Sequence, residues 1–510
     1  MQNFKKLQNG NDIRGVALEG VENENVNLTP QIAQKLACAF CVWLKNKKQH
    51  VALKFSVGCD SRLSGDDLKQ AVISGITGQG YSVGDFGLAS TPAMFMSTVL
   101  NGYHYDGAIM ITASHLPFNR NGLKFFTVNG GLEKNDISGI IEIAENHELS
   151  LVPVAAKALK VDFMSAYALY LVDRIRKCVD DKEHYYNPLH GFKIIVDAGN
   201  GAGGFFAKKV LEPLGADTYG SQFLEPDGHF PNHVPNPEDK FAMQSVCSAT
   251  IANGADLGII FDTDVDRAGA VDKNGKEINR NRIIALMASI VLEEHPGSTI
   301  VTDSITSDEL GVFIEKNLHG VHHRFKRGYK NVINEAIRLN AQGTECHLAI
   351  ETSGHGALKE NYFLDDGAYL MAKILIKIAK LRKQGKTIDT LLLELQEPLE
   401  AQEFRFNIKE SDFKTYGNMV IDKLFAYATE QPLFTPVKEN HEGIRVSMSK
   451  EFGGGWFLLR MSLHDPLMPL NIESNTAGGV HKIAVNLYEF LNQFKGLDIS
   501  SVEDFIKQEI

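Results

Sequence analysis

Leu257-Gly258-Ile259-Ile260-Phe261-Asp262-Thr263-Asp264-Val265-Asp266 is the segment from which the rest of the chain can be read. A short apolar run passes directly into three aspartates at alternate positions, the pattern of a strand covered on both faces that stops at a polar loop. Working outward, paired apolar runs with the same polar endings occur three times: Val51–Asp60 with Gly107–His115, Phe192–Asn200 with the quoted run, and Ser298–Ser304 with Leu348–His355. Helical patterns at Asp66–Ile76, Phe205–Leu214 and Asp308–Asn317 lie between the members of each pair. An internal repeat of strand, helix and strand predicts α/β domains with mixed or mostly parallel sheets, and ligands at the carboxyl ends of strands. After Leu395 the pattern breaks at Gln396, Glu397, Pro398 and Glu400. The alternation in Glu403–Ile408 and Trp456–Met461 then predicts a C-terminal, antiparallel α+β domain. The expected domains are 1–158, 159–276, 277–396 and 397–510.

Bulk properties narrow the function. A chain of 510 residues with 44% hydrophobic and 23% charged residues can bury several cores. Its 52 basic and 63 acidic residues leave a net charge of −11, so its overall field recruits neither nucleic acid nor an anionic membrane; the expected partner is a small molecule. The apolar run Ile283–Leu292 is far shorter than the roughly 20 residues of a membrane span. Met1–Gly10 lacks a secretion or import pattern, so a cytoplasmic location is expected. Cys38 and Cys41 form a C-x-x-C pair without a second pair to complete a zinc site. They fall in a helical pattern opened by Thr29 and Pro30, where core packing is expected.

Three clusters carry chemistry. Asp262, Asp264 and Asp266 crowd three carboxylates at a strand end, where repulsion is costly without a cation; oxygen ligands alone favour magnesium. A calcium helix-loop-helix reading fails, because its sixth position is Arg267 and its twelfth Lys273. Thr112-Ala113-Ser114-His115-Leu116-Pro117 places a serine beside a histidine at another strand end, with Lys124 and Arg14 available to neutralise a phosphoryl group. By itself the segment also fits an ordinary turn, and no G-x-S-x-G elbow surrounds it. Glu351-Thr352-Ser353-Gly354-His355 suits sugar hydroxyls and proton transfer, or the capping of a helix. Gly199-Asn200-Gly201-Ala202-Gly203-Gly204, with Asp217 further on, matches a dinucleotide fingerprint. Asp197 would put a carboxylate beside the pyrophosphate, which favours a tight turn with close packing instead.

Together these segments resemble the α-D-phosphohexomutase family, the phosphoglucomutases and phosphomannomutases. The motifs run in order along nearly the whole chain. Asp12-Ile13-Arg14-Gly15 is similar to the family's Y-D-I-R-G, Thr112–Pro117 to the phosphoserine loop T-A-S-H-N-P, and Asp262–Arg267 to the metal loop D-x-D-x-D-R. Asp227–His233 is similar to D-G-x-F-P-N-H, and Glu351–His355 to the sugar loop E-x-S-G-H. The resemblance implies three related α/β domains and a fourth around a central cleft. It implies that Ser114 is phosphorylated and, with Asp262, Asp264 and Asp266, holds Mg2+. Arg14, His115, Lys124 and Arg267 would surround the transferring group, Glu351 and Ser353 would bind sugar hydroxyls, and His355 would act as general acid or base. A hexose 1,6-bisphosphate would serve as activator and intermediate between hexose 1-phosphate and 6-phosphate.

The chain departs from the family pattern at Leu116 and Ile305, and at Lys326–Tyr329 in place of K-T-G-H. It also departs in the fourth-domain phosphate loop, where Arg460 and Ser462 are kept but Leu463 and His464 replace a small or amide residue and a threonine. These changes leave open a hexose 1,6-bisphosphate synthase, or a non-catalytic sugar-phosphate binding protein. His464 could supply the missing donor to phosphate.

Overall fold

The computed structural model describes residues 4–49, 52–147, 156–462 and 465–508, so Leu463 and His464 lie outside the described residues. The chain forms two compact units, Met1–Ile283 with Ser353–Thr390, and Ile284–Thr352 with Leu391–Ile510.

The first unit holds two of the repeats. In its larger sheet the strands run, in spatial order, Asp12–Val16, Arg120–Thr127, Gly107–Ile111, Lys54–Cys59, Ser82–Leu88 and Ala158–Lys160. The last four are mutually parallel, and the first two are antiparallel additions to one side. The helix Pro30–Lys48 starts where Thr29 Oγ1 accepts the Ile32 amide, with Pro30 in the first turn, where no amide hydrogen is needed. Its Phe40 ring meets Phe55 and Phe125 of the sheet at centroid distances of 5.7 and 4.9 Å. Cys38 and Cys41 are buried on this helix, and the Cys38 thiol donates to the Gly75 carbonyl at 3.3 Å. Burial pushes both thiols up, so the pair is core packing.

In the smaller sheet Ile194–Asp197 and Leu257–Phe261 are parallel, followed by antiparallel Ala268–Asp272 and Glu277–Ile278. The helical pattern at Phe205–Leu214 is realised as a π-helical stretch, Phe206–Leu211, between 3-10 turns at Ala202–Gly204 and Glu212–Leu214. Pro213 lacks the amide hydrogen that a regular ladder would need there.

In the second unit Val321–Arg324, Thr299–Thr302 and Cys346–Ile350 are parallel neighbours. The C-terminal part is an antiparallel sheet in the order Phe434–Pro436, Ile444–Met448, Gly455–Leu459, Leu467–Ser474, Glu400–Ile408 and Leu497–Asp498. Its inward positions, among them Phe406, Phe457 and Leu470, pack against Leu424 of the helix Phe413–Glu430 and Ile483 of Gly479–Leu491. This is the α+β domain expected from the alternation.

The repeat extends to one residue. The first strand of each pair ends at a buried aspartate: Asp60, Asp197 and Asp303. Asp60 accepts the Thr112 hydroxyl at 2.6 Å and Asp303 that of Thr352 at 2.7 Å, so in two repeats the first strand end ties down the loop after the second. No helix among the described residues is long and apolar enough to cross a membrane.

Candidate active site

Ser114 leaves the strand Gly107–Ile111 in the left-handed region, at φ 51°. The Thr112 hydroxyl accepts its amide at 2.9 Å while donating to Asp60, which turns the serine side chain toward the aspartate loop of the same unit. Ser114 Oγ donates to Asp262 Oδ2 at 3.1 Å. Arg267 Nη2 lies 3.2 Å from Ser114 Oγ and 2.5 Å from His115 Nδ1, and its Nε donates to Asp262 Oδ2 at 3.1 Å. A guanidinium only donates, so His115 accepts at Nδ1 and carries its proton on Nε2. Burial, then the charges of Arg267 and Arg14, push His115 down to about 2 and keep it neutral. Arg14 itself pairs with Asp12 at 2.9 Å.

Asp262, Asp264 and Asp266 form the turn between the strands Leu257–Phe261 and Ala268–Asp272. Val265 at its centre has φ 67°, which for a β-branched residue costs about 1–3 kcal/mol. The Val265 carbonyl accepts the Gly367 amide at 3.1 Å, one of the contacts that hold this conformation. Lys124 Nζ donates to Asp264 Oδ2 at 2.9 Å and Asp266 Oδ2 at 2.6 Å, and Thr91 Oγ1 donates to Asp264 Oδ2 at 2.5 Å. Burial opposes the charge on Lys124, but Asp264 and Asp266 raise its pKa well above the ordinary value. One oxygen from each of the three aspartates falls within 4.8 Å of the others. Asp264 Oδ1 and Asp266 Oδ1 are buried and receive no hydrogen bond from the protein. Burial, then Asp266 and Asp264, drive the Asp262 carboxyl far above its usual range. Two orphaned carboxylate oxygens and a third acid that resists ionisation fit a hard divalent cation bound by oxygen.

His355 closes this group. Its Nδ1 is 2.6 Å from Asp365 Oδ2 and 4.0 Å from Asp266 Oδ1. Burial favours the neutral ring, but Asp365 and Asp266 overcome it and raise the pKa to about 9. A raised pKa means that the imidazolium stabilises the fold fully below the ordinary 6.5, a contribution lost as pH climbs through about 9. In Asp365→Asn the His355 pKa is expected to fall by at least about one unit, read by NMR titration of histidine-labelled protein. An unmoved resonance would show that Asp365 does not hold the charge.

One structural feature was not evident in the sequence. The buried Arg62 sends Nη1 to the carbonyls of Pro117 at 2.8 Å and Arg120 at 3.0 Å, and Nη2 to those of Leu116 at 2.5 Å and Ser114. Its position just after the first strand of a repeat was the available signal. In the glycine-rich turn, the amides of Gly199, Asn200, Gly201 and Ala202 donate to Asp197 Oδ1 and to the carbonyls of Phe223, Ala198 and Thr263. These four amides are therefore engaged within the fold rather than turned to a pyrophosphate. A Cβ on Gly201 would lie 2.7 Å from the Thr263 carbonyl oxygen, so glycine lets this turn back directly onto the aspartate loop.

Ser353 is buried in the first unit. In the second unit, Glu351 Oε1 accepts the Gly328 amide at 2.5 Å, at the amino end of the helix Tyr329–Ala341, where a carboxylate is favourable. Arg460 Nη1 lies 4.0 Å from Glu442 Oε1, and Glu442 Oε2 accepts the Ser304 hydroxyl at 2.5 Å and the Arg327 amide at 3.2 Å. Ser462 Oγ accepts the Asp465 amide at 3.3 Å.

A serine aimed at a cation-ready triad of buried carboxylates, with lysine and arginine alongside, is the equipment of a phosphoryl-transferring enzyme. Family models for phosphoglucomutase/phosphomannomutase α/β/α domains I, II and III match residues 5–150, 170–275 and 279–399. The chain is 30% identical over 431 residues to a phosphoglucomutase of Neisseria gonorrhoeae, covering 84% of this chain and 86% of that one. It is 30% identical over 467 residues to a phosphoglucomutase/phosphomannomutase of Thermococcus kodakarensis, covering 90% and 93%. A solved phosphoglucomutase/phosphomannomutase family protein of Burkholderia thailandensis superposes with a TM-score of 0.75 at 26% identity, over 95% of this chain and 96% of that one. The chain belongs to the phosphoglucomutase/phosphomannomutase family and is a mutase enzyme of that family.

Proposed function

We propose that this enzyme interconverts hexose 1-phosphates and 6-phosphates, of glucose and/or mannose, through a phosphoserine at Ser114 and a hexose 1,6-bisphosphate. The observation that carries the reading is the 3.1 Å contact between Ser114 Oγ and Asp262 within a group that also contains Arg267, Lys124 and His355. In the first half-reaction the bond from phosphorus to Ser114 Oγ breaks as one forms to a free hydroxyl oxygen of the hexose monophosphate. The hydroxyl proton leaves to a base, and the leaving Ser114 Oγ takes up a proton from an acid. In the second half-reaction Ser114 Oγ gives up its proton and bonds to the phosphorus at the other end of the bisphosphate, whose bond to the sugar oxygen breaks, and that oxygen is protonated.

Ser114, Asp262, Asp264 and Asp266 would hold Mg2+, which when bound supplies positive charge to the phosphoryl oxygens. Arg267 and Lys124 bring further charge to the same place, and Arg14 adds to it. The neutral His115, oriented by Arg267, offers its Nε2 proton as a hydrogen bond. His355, charged at neutral pH and held by Asp365, is the acid that gives a proton to a leaving oxygen; with its pKa raised to about 9 it takes the hydroxyl proton only after losing its own. Glu351 and Ser353 bind sugar hydroxyls, and Arg460, Ser462 and His464 bind the phosphate that is not reacting. Hexose 1,6-bisphosphate acts as activator because it restores phosphate to Ser114.

Incubation with glucose 1,6-bisphosphate is expected to add one phosphoryl group to the intact protein, located on Ser114 by peptide mapping. An unmodified Ser114 in protein that nonetheless turns over glucose 1-phosphate would refute the phosphoserine cycle.

A further inference from the structure

The motif Asp227–His233 and the residues after it, up to Asp239, carry none of the chemistry proposed above, yet they reach its centre. In two repeats the aspartate that ends the first strand ties down the loop after the second. In the remaining repeat Asp197 holds this segment instead: His233 Nε2 lies 3.1 Å from both of its carboxylate oxygens. Asn232 Nδ2 donates to Asn200 Oδ1 at 2.7 Å, which fastens the segment to the glycine-rich turn. A Cβ on Gly199 would lie 2.8 Å from that of Pro235, so glycine lets the proline sit against the turn.

From that anchor the chain continues as Val234-Pro235-Asn236-Pro237-Glu238. Pro235 and Pro237 are buried and each fixes its own φ, so the backbone on either side of Asn236 has little freedom. The Asn236 amide donates to the Val234 carbonyl at 2.8 Å, and the Asp239 amide to the Asn236 carbonyl at 3.0 Å. The buried Asn279 donates through Nδ2 to the Pro237 carbonyl at 2.7 Å. Asn236 Oδ1 accepts the Glu238 amide at 3.0 Å and Arg267 Nη1 at 3.1 Å. Pinned in this way, Asn236 is a rigid acceptor.

The buried Arg267 guanidinium is planar, with a fixed fork of donors. Its Nε is held by Asp262, and its Nη2 faces Ser114 Oγ and His115 Nδ1. A bond at Nε alone lets the plane swing about that contact. A second bond at Nη1 fixes the plane, and with it the place of Nη2. We propose that Asn236 is a positioning residue for phosphoryl transfer, holding Arg267 at Nη1 so that Nη2 stays on the Ser114 hydroxyl. The proposal rests on the reading of Ser114 as the phosphate carrier. Glu238 Oε2, 3.8 Å from Nη1 and partly exposed, adds charge rather than direction.

The test is turnover of glucose 1-phosphate with added glucose 1,6-bisphosphate. Asn236→Ala is expected to lower kcat about tenfold or more and to leave KM within about twofold, because a misaligned guanidinium weakens the transition state rather than capture of the sugar. Asn236→Asp keeps the acceptor oxygen and is expected to retain at least about a third of the parent kcat. In an Arg267→Lys background, adding Asn236→Ala is expected to cost less than about twofold, since one ammonium cannot bridge Asn236 and Ser114. Undiminished kcat in Asn236→Ala, an equal loss in Asn236→Asp, or the same fold-loss in the Arg267→Lys background overturns the proposal. So does a loss that tracks unfolding in circular dichroism at the assay temperature. Failure of the phosphoserine reading is seen separately, as an unmodified Ser114 in active parent protein.

Discussion

Ser114→Ala is expected to fold normally and to lose mutase turnover by a factor of about 10³ or more, together with all phosphate incorporation. The loop that presents Ser114 does not depend on its hydroxyl. The Ser114 amide is held by Thr112 and its carbonyl by Arg62, and alanine keeps both. Alanine also bears about the same strain as serine at φ 51°. The loss therefore falls on chemistry. Thermal unfolding of the variant should match the parent, while turnover of glucose 1-phosphate with added glucose 1,6-bisphosphate should approach background. Full turnover in the alanine variant would mean that phosphate passes without a serine intermediate, and the proposed cycle would fail.

Arg62→Ala is expected to cost about 3–5 kcal/mol of stability and about 10² in turnover. The guanidinium is buried, 3.4 Å from Asp60, and holds four carbonyls of the segment from Ser114 to Arg120. Its removal frees that loop and leaves Asp60 buried without its charge partner. Burial already pushes Asp60 up to about 6 with Arg62 present, and without Arg62 it rises further. Below about pH 5 the Asp60 carboxyl is protonated in both folded proteins, so the deficit is smallest there. It grows as pH rises past 6, where only the parent ionises Asp60 against a partner. Asp60→Asn in the Arg62→Ala background should recover part of the stability but not the rate, because the loop carbonyls remain unheld. Arg62→Lys should rescue poorly, since one ammonium cannot span four carbonyls. Equal stability of parent and Arg62→Ala at pH 8 would show that the clamp has no energetic weight.

How much was legible beforehand depended on distance along the chain. The α/β repeat could be read because each strand is a short apolar run that ends in polar residues. The aspartate triad could be read because three like charges at alternate positions are costly unless something offsets them. The serine loop was ambiguous alone and became informative only beside the triad. The glycine-rich turn shows the opposite limit: its spacing matches a phosphate cradle, yet the amides of Gly199 to Ala202 already have partners within the fold.

Local sequence alone established the α/β class, the repeat and the residues able to do phosphoryl chemistry, since strand burial and carboxylate repulsion act over a few residues. Tertiary structure alone decided which side chains meet. Ser114 and Asp262 are 148 positions apart and Lys124 and Asp266 are 142 apart, so no local pattern records their contact. Protonation states were likewise set in three dimensions. His115 and His355 have the same ordinary pKa, but burial and then Arg267 hold one neutral, while Asp365 overcomes burial and holds the other charged. The physical reason is that charge interactions strengthen as water is excluded, and only the folded chain determines which groups share a water-free space.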